Sequence, residues 1–177
     1  MKIIAISGKA QHGKDTLAGE MKKILQSKYY RVLIIHYGDL LKYICEKFFD
    51  WDGKKDDVGR SLLQQVGTEK IRSQEPDFWV AFVTKILRFF PDQWDYVLIP
   101  DARFPNEITY LRDNGFDVTH IRIHRPIDNK LTEAQKKHPS ETALDDFPVD
   151  IHIKNDGTIA DLAKKAEDIL SNRLQKE

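Results

Sequence analysis

The sequence predicts an α/β fold: a five-stranded parallel sheet with helices on both faces and an inserted lid. Three observations support this. Five short apolar runs, at residues 1–7, 31–36, 95–99, 117–124 and 149–153, alternate with segments of helical periodicity. The first run passes through a glycine-framed loop directly into an amphipathic helix. The polar stretch 127–148, with Pro139 and Pro148, interrupts the alternation before the last strand. The 177 residues, 41% hydrophobic and 32% charged, suit one globular domain spanning residues 1–177 with a substantial core.

The glycine-framed loop is Gly8-Lys9-Ala10-Gln11-His12-Gly13-Lys14-Asp15-Thr16. It follows the apolar strand ending at Ser7 and precedes a helix with Leu17, Met21, Ile24 and Leu25 on one face. Strand, glycine loop, Lys and helix are the parts of a phosphate-binding P-loop, so the fold is expected to be that of a P-loop NTPase. Gly8 and Gly13 let successive N–H groups turn inward as an anion nest. The helix N-terminus adds unpaired donors, and Lys14 brings a mobile positive charge. Asp15 stands where the motif has a hydroxyl, and Thr16 follows it. The alternative is a plain glycine turn between a strand and a helix.

The other elements follow in order. The strand at 31–36 ends at Tyr37-Gly38-Asp39, and Leu40, Leu41, Ile44 and Phe48 mark a helix that Asp39 is placed to cap. Asp39 and Lys42 also lie where a parallel sheet binds ligands, so both a structural and a substrate-binding reading stand. After the polar loop 50–57, Leu62, Leu63 and Val66 suggest a short helix ending at Gly67. Residues 77–90 form a helix with a wide apolar face, stopped by Pro91; Trp79 is the residue on it nearest the polar start. The strand at 95–99 leads to Asp101, an acidic residue where a P-loop protein needs a carboxylate near Mg²⁺. Pro105 opens the next helix and Asn114-Gly115 closes it. Thr158 with Asp161 resembles a capping box, and Ile159, Leu162, Ala166 and Leu170 give the last helix an apolar stripe.

Composition narrows the function classes. The 28 basic and 28 acidic residues cancel, which argues against a broad nucleic-acid footprint. Cys45 is the single cysteine, so neither an internal disulfide nor a cysteine zinc site can form. No apolar run reaches the roughly 20 residues that span a bilayer. The first residues enter a strand with no leader pattern, and a cytoplasmic protein is expected.

Basic residues recur at the expected crevice: Lys14, Arg60, Arg72, Arg103 and Arg125. This set suits phosphoryl transfer, which needs cations and positioning more than covalent chemistry. Arginine pairs bidentately with phosphate oxygens. An acceptor that is itself a phosphate, with a second pKa of about 6, needs no general base.

The sequence resembles the deoxynucleoside monophosphate kinases of tailed bacteriophages. The likeness rests on Gly13-Lys14-Asp15-Thr16, on Gly59 to Glu69 with Arg72 and Phe78-Trp79, and on Asp101 to Glu107. His138-Pro139-Ser140-Glu141 and Ile153 to Thr158 also match. The resemblance implies transfer of the ATP γ-phosphoryl group to a deoxynucleoside monophosphate, with Mg²⁺. On it, Gly8, Gly13, Lys14, Asp15 and Thr16 hold ATP phosphates, and Asp15, Thr16 and Asp101 are the metal candidates. Arg60, Arg72 and Arg103 are the acceptor-phosphate candidates. Gln64, Gln65, Thr68, Trp79 and Glu107 join Asp39 and Lys42 as substrate residues, in an acceptor region of about 38–90. Lys14, Arg103, Arg125 and Asp101 would carry the chemistry, with Arg125 reaching the phosphoryl group as a lid of about 126–148 closes. Asn155 and Gly157 would lie against the adenine. The lid has no arginine between Arg125 and Arg173, so Lys130, Lys136 and Lys137 would supply its charge. A homodimer is compatible with the resemblance; no nucleic-acid or membrane partner is expected, and a phage-encoded copy would act in the host cytoplasm. The rivals are a kinase for another phosphorylated acceptor, such as dephospho-coenzyme A or phosphomevalonate, and a non-catalytic nucleotide-binding regulator.

Overall fold

The computed structural model describes residues 1–126 and 131–174. Its strands are β1 (Lys2–Ser7), β2 (Val32–Ile34), β3 (Tyr96–Ala102), β4 (Asp117–His124) and β5 (Ile151–Lys154). The helices in chain order are α1 (Lys14–Ser27), α2 (Gly38–Phe48), α3 (Asp57–Gln64), α4 (Phe78–Phe89), α5 (Asn106–Asp113), α6 (Glu133–Lys137), α7 (Pro139–Thr142) and α8 (Ile159–Leu174). The strands form one sheet in the order β2-β3-β1-β4-β5, and every pair is parallel. The expected five-stranded parallel sheet is therefore present.

Side chains alternate across a strand, so β1 serves both faces. Ile4 and Ile6 pack with α1 and α8 through Leu17, Met21, Leu25, Leu162, Ala166 and Leu170. Ile3 and Ala5 face the opposite layer, where Trp79, Val83 and Leu87 of α4 meet Ile108 and Leu111 of α5. A smaller apolar cluster of Cys45, Trp51 and Val66 supports α2 and α3.

The topology creates the crevice. β1 and β3 are neighbours, but the chain leaves β1 for β2 on one side and leaves β3 for β4 on the other. Such a divergence opens a cleft beyond the carboxyl ends of the two strands. The register shifts between Ala5 and Ser7, bringing Ser7 opposite Ala102. That pairing sets the glycine loop beside Asp101 and Arg103.

Several expectations are corrected here. Gly67 does not end a helix. α3 runs on into a π-helical stretch, Gln65–Arg72, and Gly67 lies inside it. A Cβ there would stand 2.5 Å from Leu41 Cδ2, so the glycine admits close packing against α2. Asp39 is not the cap of α2; it sits inside the first turn and reaches back to the His36 amide at 3.0 Å. The stretch expected as a polar lid holds two short helices. Thr132 and Gln135 form the capping box of α6, and His138 caps α7 by accepting from the Ser140 amide. The edge strand β2 is shorter than its apolar run, while β3 extends past Ile99 to Ala102. The capping pair at Thr158 and Asp161 is present: each backbone amide donates to the other's side chain. Among the described residues no helix is long and apolar enough to cross a membrane.

Candidate active site

The phosphate loop begins where β1 ends. Gly8 has φ +149° and Gly13 φ +95°, conformations that side chains rarely adopt. A Cβ on Gly8 would lie 2.4 Å from the Ile123 carbonyl oxygen, which cannot yield because it is backbone in β4. Gly8→Ala is therefore expected to cost about 1–3 kcal/mol of stability and to distort the loop. Urea unfolding reads the first effect and ATP titration the second; an unchanged midpoint would contradict this account of the loop.

Lys14 is buried at the start of α1 and folds back over the loop. Its ammonium donates to the carbonyls of Gly8 at 2.7 Å and Lys9 at 2.8 Å. Burial, followed by the nearby Arg103 charge, pushes its pKa down to about 8. Asn155 braces the loop from behind, donating to the His12 carbonyl at 3.0 Å and packing against Gly13.

Asp101 accepts the Tyr37 amide at 3.0 Å on one oxygen and the Gly38 amide at 2.9 Å on the other. A carboxylate from β3 thus satisfies the open end of α2, the task the sequence reading gave to Asp39. Asp15 is 80% exposed on its side chain and lies 2.9 Å from His36 Nε2, while His36 Nδ1 lies 3.3 Å from Asp39. The hydrogen bond to Asp15 raises the imidazole above its ordinary pKa and lowers the carboxyl in return. Lys42 completes this chain at 2.9 Å from Asp39.

The other wall belongs to Arg72, Arg103 and Glu107. Glu107 is 2% exposed. One of its oxygens meets Arg72 Nη2 at 2.5 Å; the other accepts the amides of Arg103 at 2.6 Å and Phe104 at 3.1 Å. The Arg72 guanidinium also stacks 3.9 Å over the Phe104 ring. Burial raises the Glu107 carboxyl, and Arg72 opposes that shift. Both oxygens are engaged, so Glu107 orients the Arg72 guanidinium and fixes the backbone at Arg103 and Phe104.

One cavity of about 670 Å³ joins these parts. Six cationic side chains and four carboxylates line it, with Leu41, Trp79 and Phe104 among the apolar groups. Of the expected residues, Lys14, Asp15, Lys42, Arg60, Gln64, Thr68, Arg72, Trp79, Asp101, Arg103 and Glu107 line it. Thr16 and Gln65 are exposed outside it. Asp39 is also outside the lining, in contact with His36 and Lys42. Asn155 is spent on the loop, and Gly157 sits in an exposed turn against Asp161. Arg125 is exposed and does not line the cavity. Arg122 instead engages the lid, donating to the carbonyls of Leu144 and Asp145. Lys136 and Lys137 are absent from the lining, and Lys130 falls outside the described residues.

The lid offers a carboxylate where lysines were expected. Glu141 pairs with Arg103 and accepts the Ala10 amide at 3.0 Å. Sequence reasoning also missed His36 and Lys55 as lining residues. The position of His36 at the carboxyl end of β2 was the available signal.

A P-loop set against a guanidinium-rich wall, within a five-stranded parallel sheet, defines a P-loop protein of the kinase fold. A family model described as deoxynucleotide monophosphate kinase matches residues 50–166. The chain belongs to that family.

The deoxynucleotide monophosphate kinase of Escherichia phage RB69 is 29% identical over 113 residues, 63% of this chain and 44% of that protein. The chain thus spans less than half the length of this relative. A phosphomevalonate kinase of Drosophila melanogaster is 28% identical over 99% of this chain and 97% of its own. Among solved structures, the APS kinase CysC of Mycobacterium tuberculosis, in complex with AMPPNP and APS, superposes with a TM-score of 0.56 at 15% identity. That match covers 96% of this chain and 97% of CysC, a likeness of fold.

Proposed function

We propose that this chain transfers the γ-phosphoryl group of ATP to the phosphate of a deoxynucleoside monophosphate. The observation that carries the reading is the shared cavity: Lys14 of the phosphate loop and the Arg72–Arg103 wall open into one space. Family membership supports the same reaction.

In this reading the loop amides and Lys14 bind the donor phosphates. Arg60, Arg72 and Arg103 hold the acceptor phosphate and offset its repulsion from ATP. The acceptor is mostly dianionic at neutral pH, so it attacks without losing a proton to the protein. The base occupies the part of the cavity lined by Trp79, Phe104 and Leu41, with Gln64 and Thr68 as polar contacts. We assign the donor base to the exposed turn carrying Gly157.

The residues present also fit Mg²⁺. This ion keeps several waters and takes one or two carboxylates plus substrate phosphates, not a protein cage. Among the described residues no group of three or more His, Cys, Asp or Glu is arranged as such a cage. Asp15, exposed next to Lys14, would meet the ion, and Asp101 would act through water because both its oxygens already accept amides. The ion would neutralise charge on the donor phosphates.

A second reading, a kinase for another phosphorylated acceptor, is favoured by the likeness to phosphomevalonate kinase along nearly the whole chain. Both readings are tested by measuring ADP release with ATP and Mg²⁺ over a panel of acceptors. Turnover with deoxynucleoside monophosphates, and none with phosphomevalonate or dephospho-coenzyme A, is the expected outcome. The reverse pattern would establish the second reading, and ATP binding with no turnover would make the protein a regulator.

Lys14 gives a pH signature. With its pKa near 8 in the free protein, about half the molecules lack that proton at pH 8. Bound phosphate favours the charged form, so the pKa rises in the complex. ATP binding at pH 8 should then take up about half a proton at this site. Affinity should hold below pH 8 and weaken above it. Calorimetry in buffers of different ionisation heat measures the uptake; a value unchanged by Lys14→Met would assign it to another group.

A further inference from the structure

Glu141 is a charged group of the cavity that the proposed transfer does not use. Its side chain is 6% exposed. One carboxylate oxygen accepts the Ala10 amide at 3.0 Å, and the other pairs with Arg103 Nη1. Burial works against its charge, yet Arg103, the Ala10 amide and Lys14 together hold it below the usual carboxylate range. The amide belongs to the phosphate loop, and Arg103 and Lys14 are the cations assigned above to the phosphates. A carboxylate and a phosphoryl oxygen make the same demands: N–H donors and positive charge. An anion of the chain's own therefore sits on groups that the proposed reaction gives to the substrate's phosphates.

The attachments around it are of a kind that can be exchanged. Lys9 Nζ donates to the Glu141 carbonyl and pairs with Asp145, both at 2.5 Å, and Asp145 is half-exposed. Arg103 donates to the Ser140 carbonyl at 2.9 Å. The Lys9–Asp145 pair is exposed, and a surface ion pair of this kind contributes little. α7 is only four residues long, while Leu144 just beyond it is buried in the main core.

We propose that Glu141 is a positioning residue: it holds Arg103 against the phosphate loop and is displaced from both when a phosphate of the donor enters. The proposal rests on the assignment of the loop and Arg103 to phosphates. Two anions cannot share one set of donors, and a triphosphate brings more charge and more acceptor oxygens than one carboxylate. Part of the donor's binding free energy is then used to release Glu141, and the released Arg103 turns to the substrate. The latch keeps the loop and Arg103 partnered between turnovers and lowers the apparent affinity for free triphosphate.

The sign of one measurement separates this from a purely structural brace. Tripolyphosphate is titrated calorimetrically into the metal-free protein at neutral pH, with wild type and Glu141→Gln compared. The glutamine keeps the size of the side chain and removes its charge. Release of the latch is expected to tighten tripolyphosphate binding by about tenfold. Asp145→Asn, which loosens the Lys9 attachment from outside the cavity, should tighten it by a smaller factor. Equal or weaker binding by a folded Glu141→Gln would overturn the proposal and leave the functional reading standing. Should that variant fail to fold by circular dichroism, Asp145→Asn decides alone, and binding no tighter than wild type overturns the proposal. Wild type that binds no tripolyphosphate would overturn both the latch and the assignment of the loop.

Discussion

Replacing Lys14 with Met should abolish phosphoryl transfer while making the protein more stable. Removing one preorganised electrostatic contact to a reacting group costs about 10²–10³ in kcat, and the loss of a cation at a transferring phosphoryl group costs about 10³–10⁵. Lys14 is the loop cation that lines the cavity, so a loss of at least about 10³-fold is expected. Stability should move the other way. Burial pushes Lys14 from 10.5 in the unfolded chain to about 8 in the folded one. At neutral pH both states are protonated, and the folded state bears the cost of a buried charge. The folded protein loses that proton first as pH rises, so the penalty fades between about pH 8 and 10.5. Methionine fills the same space without the charge and relieves a penalty on the order of 3 kcal/mol at pH 7. For a chain of this size that is a rise of roughly 4–12 °C in the midpoint. Thermal unfolding of the free proteins at pH 7 and pH 10 checks both statements: the gain should shrink at the higher pH. A lower midpoint at pH 7 would show that the two carbonyl contacts of Lys14 outweigh its buried charge.

Glu107→Ala should have the largest effect on stability. Glu107 is buried, and its two oxygens engage Arg72 and the amides of Arg103 and Phe104. Removing it strands Arg72, whose side chain is 12% exposed, with a buried and uncompensated charge. Breaking a buried pair from one side costs about 3–5 kcal/mol. The midpoint should fall by roughly 6–20 °C. The acceptor wall loses its geometry in the same step, so KM for the acceptor should rise by more than KM for ATP. Equal rises would indicate general loosening, and an unchanged midpoint would contradict the buried pair.

These two sites differ in how far the sequence revealed them. The phosphate loop was legible because a nest of amides is local: Gly8, Gly13, Lys14 and the strand and helix flanking them lie within one short stretch. The Asp101–Glu107 block was legible by position, but its long-range hydrogen bonds were not. Asp101, a metal candidate in the sequence, also closes the end of α2 with both oxygens. Glu107 was read as a substrate contact, yet it orients Arg72 from 35 positions away in the chain. Partners that distant leave no periodic trace.

Within residues 64–72 the resemblance names both Gln64 and Gln65, but only one face of this stretch can meet the cavity. Gln64, Thr68 and Arg72, four positions apart, share that face, and Gln65 lies off it. In the lid, Lys136 and Lys137 do not line the cavity, and Glu141 meets Arg103 and the Ala10 amide across a gap in sequence that no local pattern reveals.

The central claim is transfer between two phosphates that share one cavity. It is tested most directly by incubating the protein with Mg²⁺, a deoxynucleoside monophosphate and ATP labelled in its γ-phosphate. The account predicts that the label appears in the deoxynucleoside diphosphate, as β-phosphate, in step with ADP. Label released only as inorganic phosphate, or retained in ATP with every deoxynucleotide supplied, would contradict it.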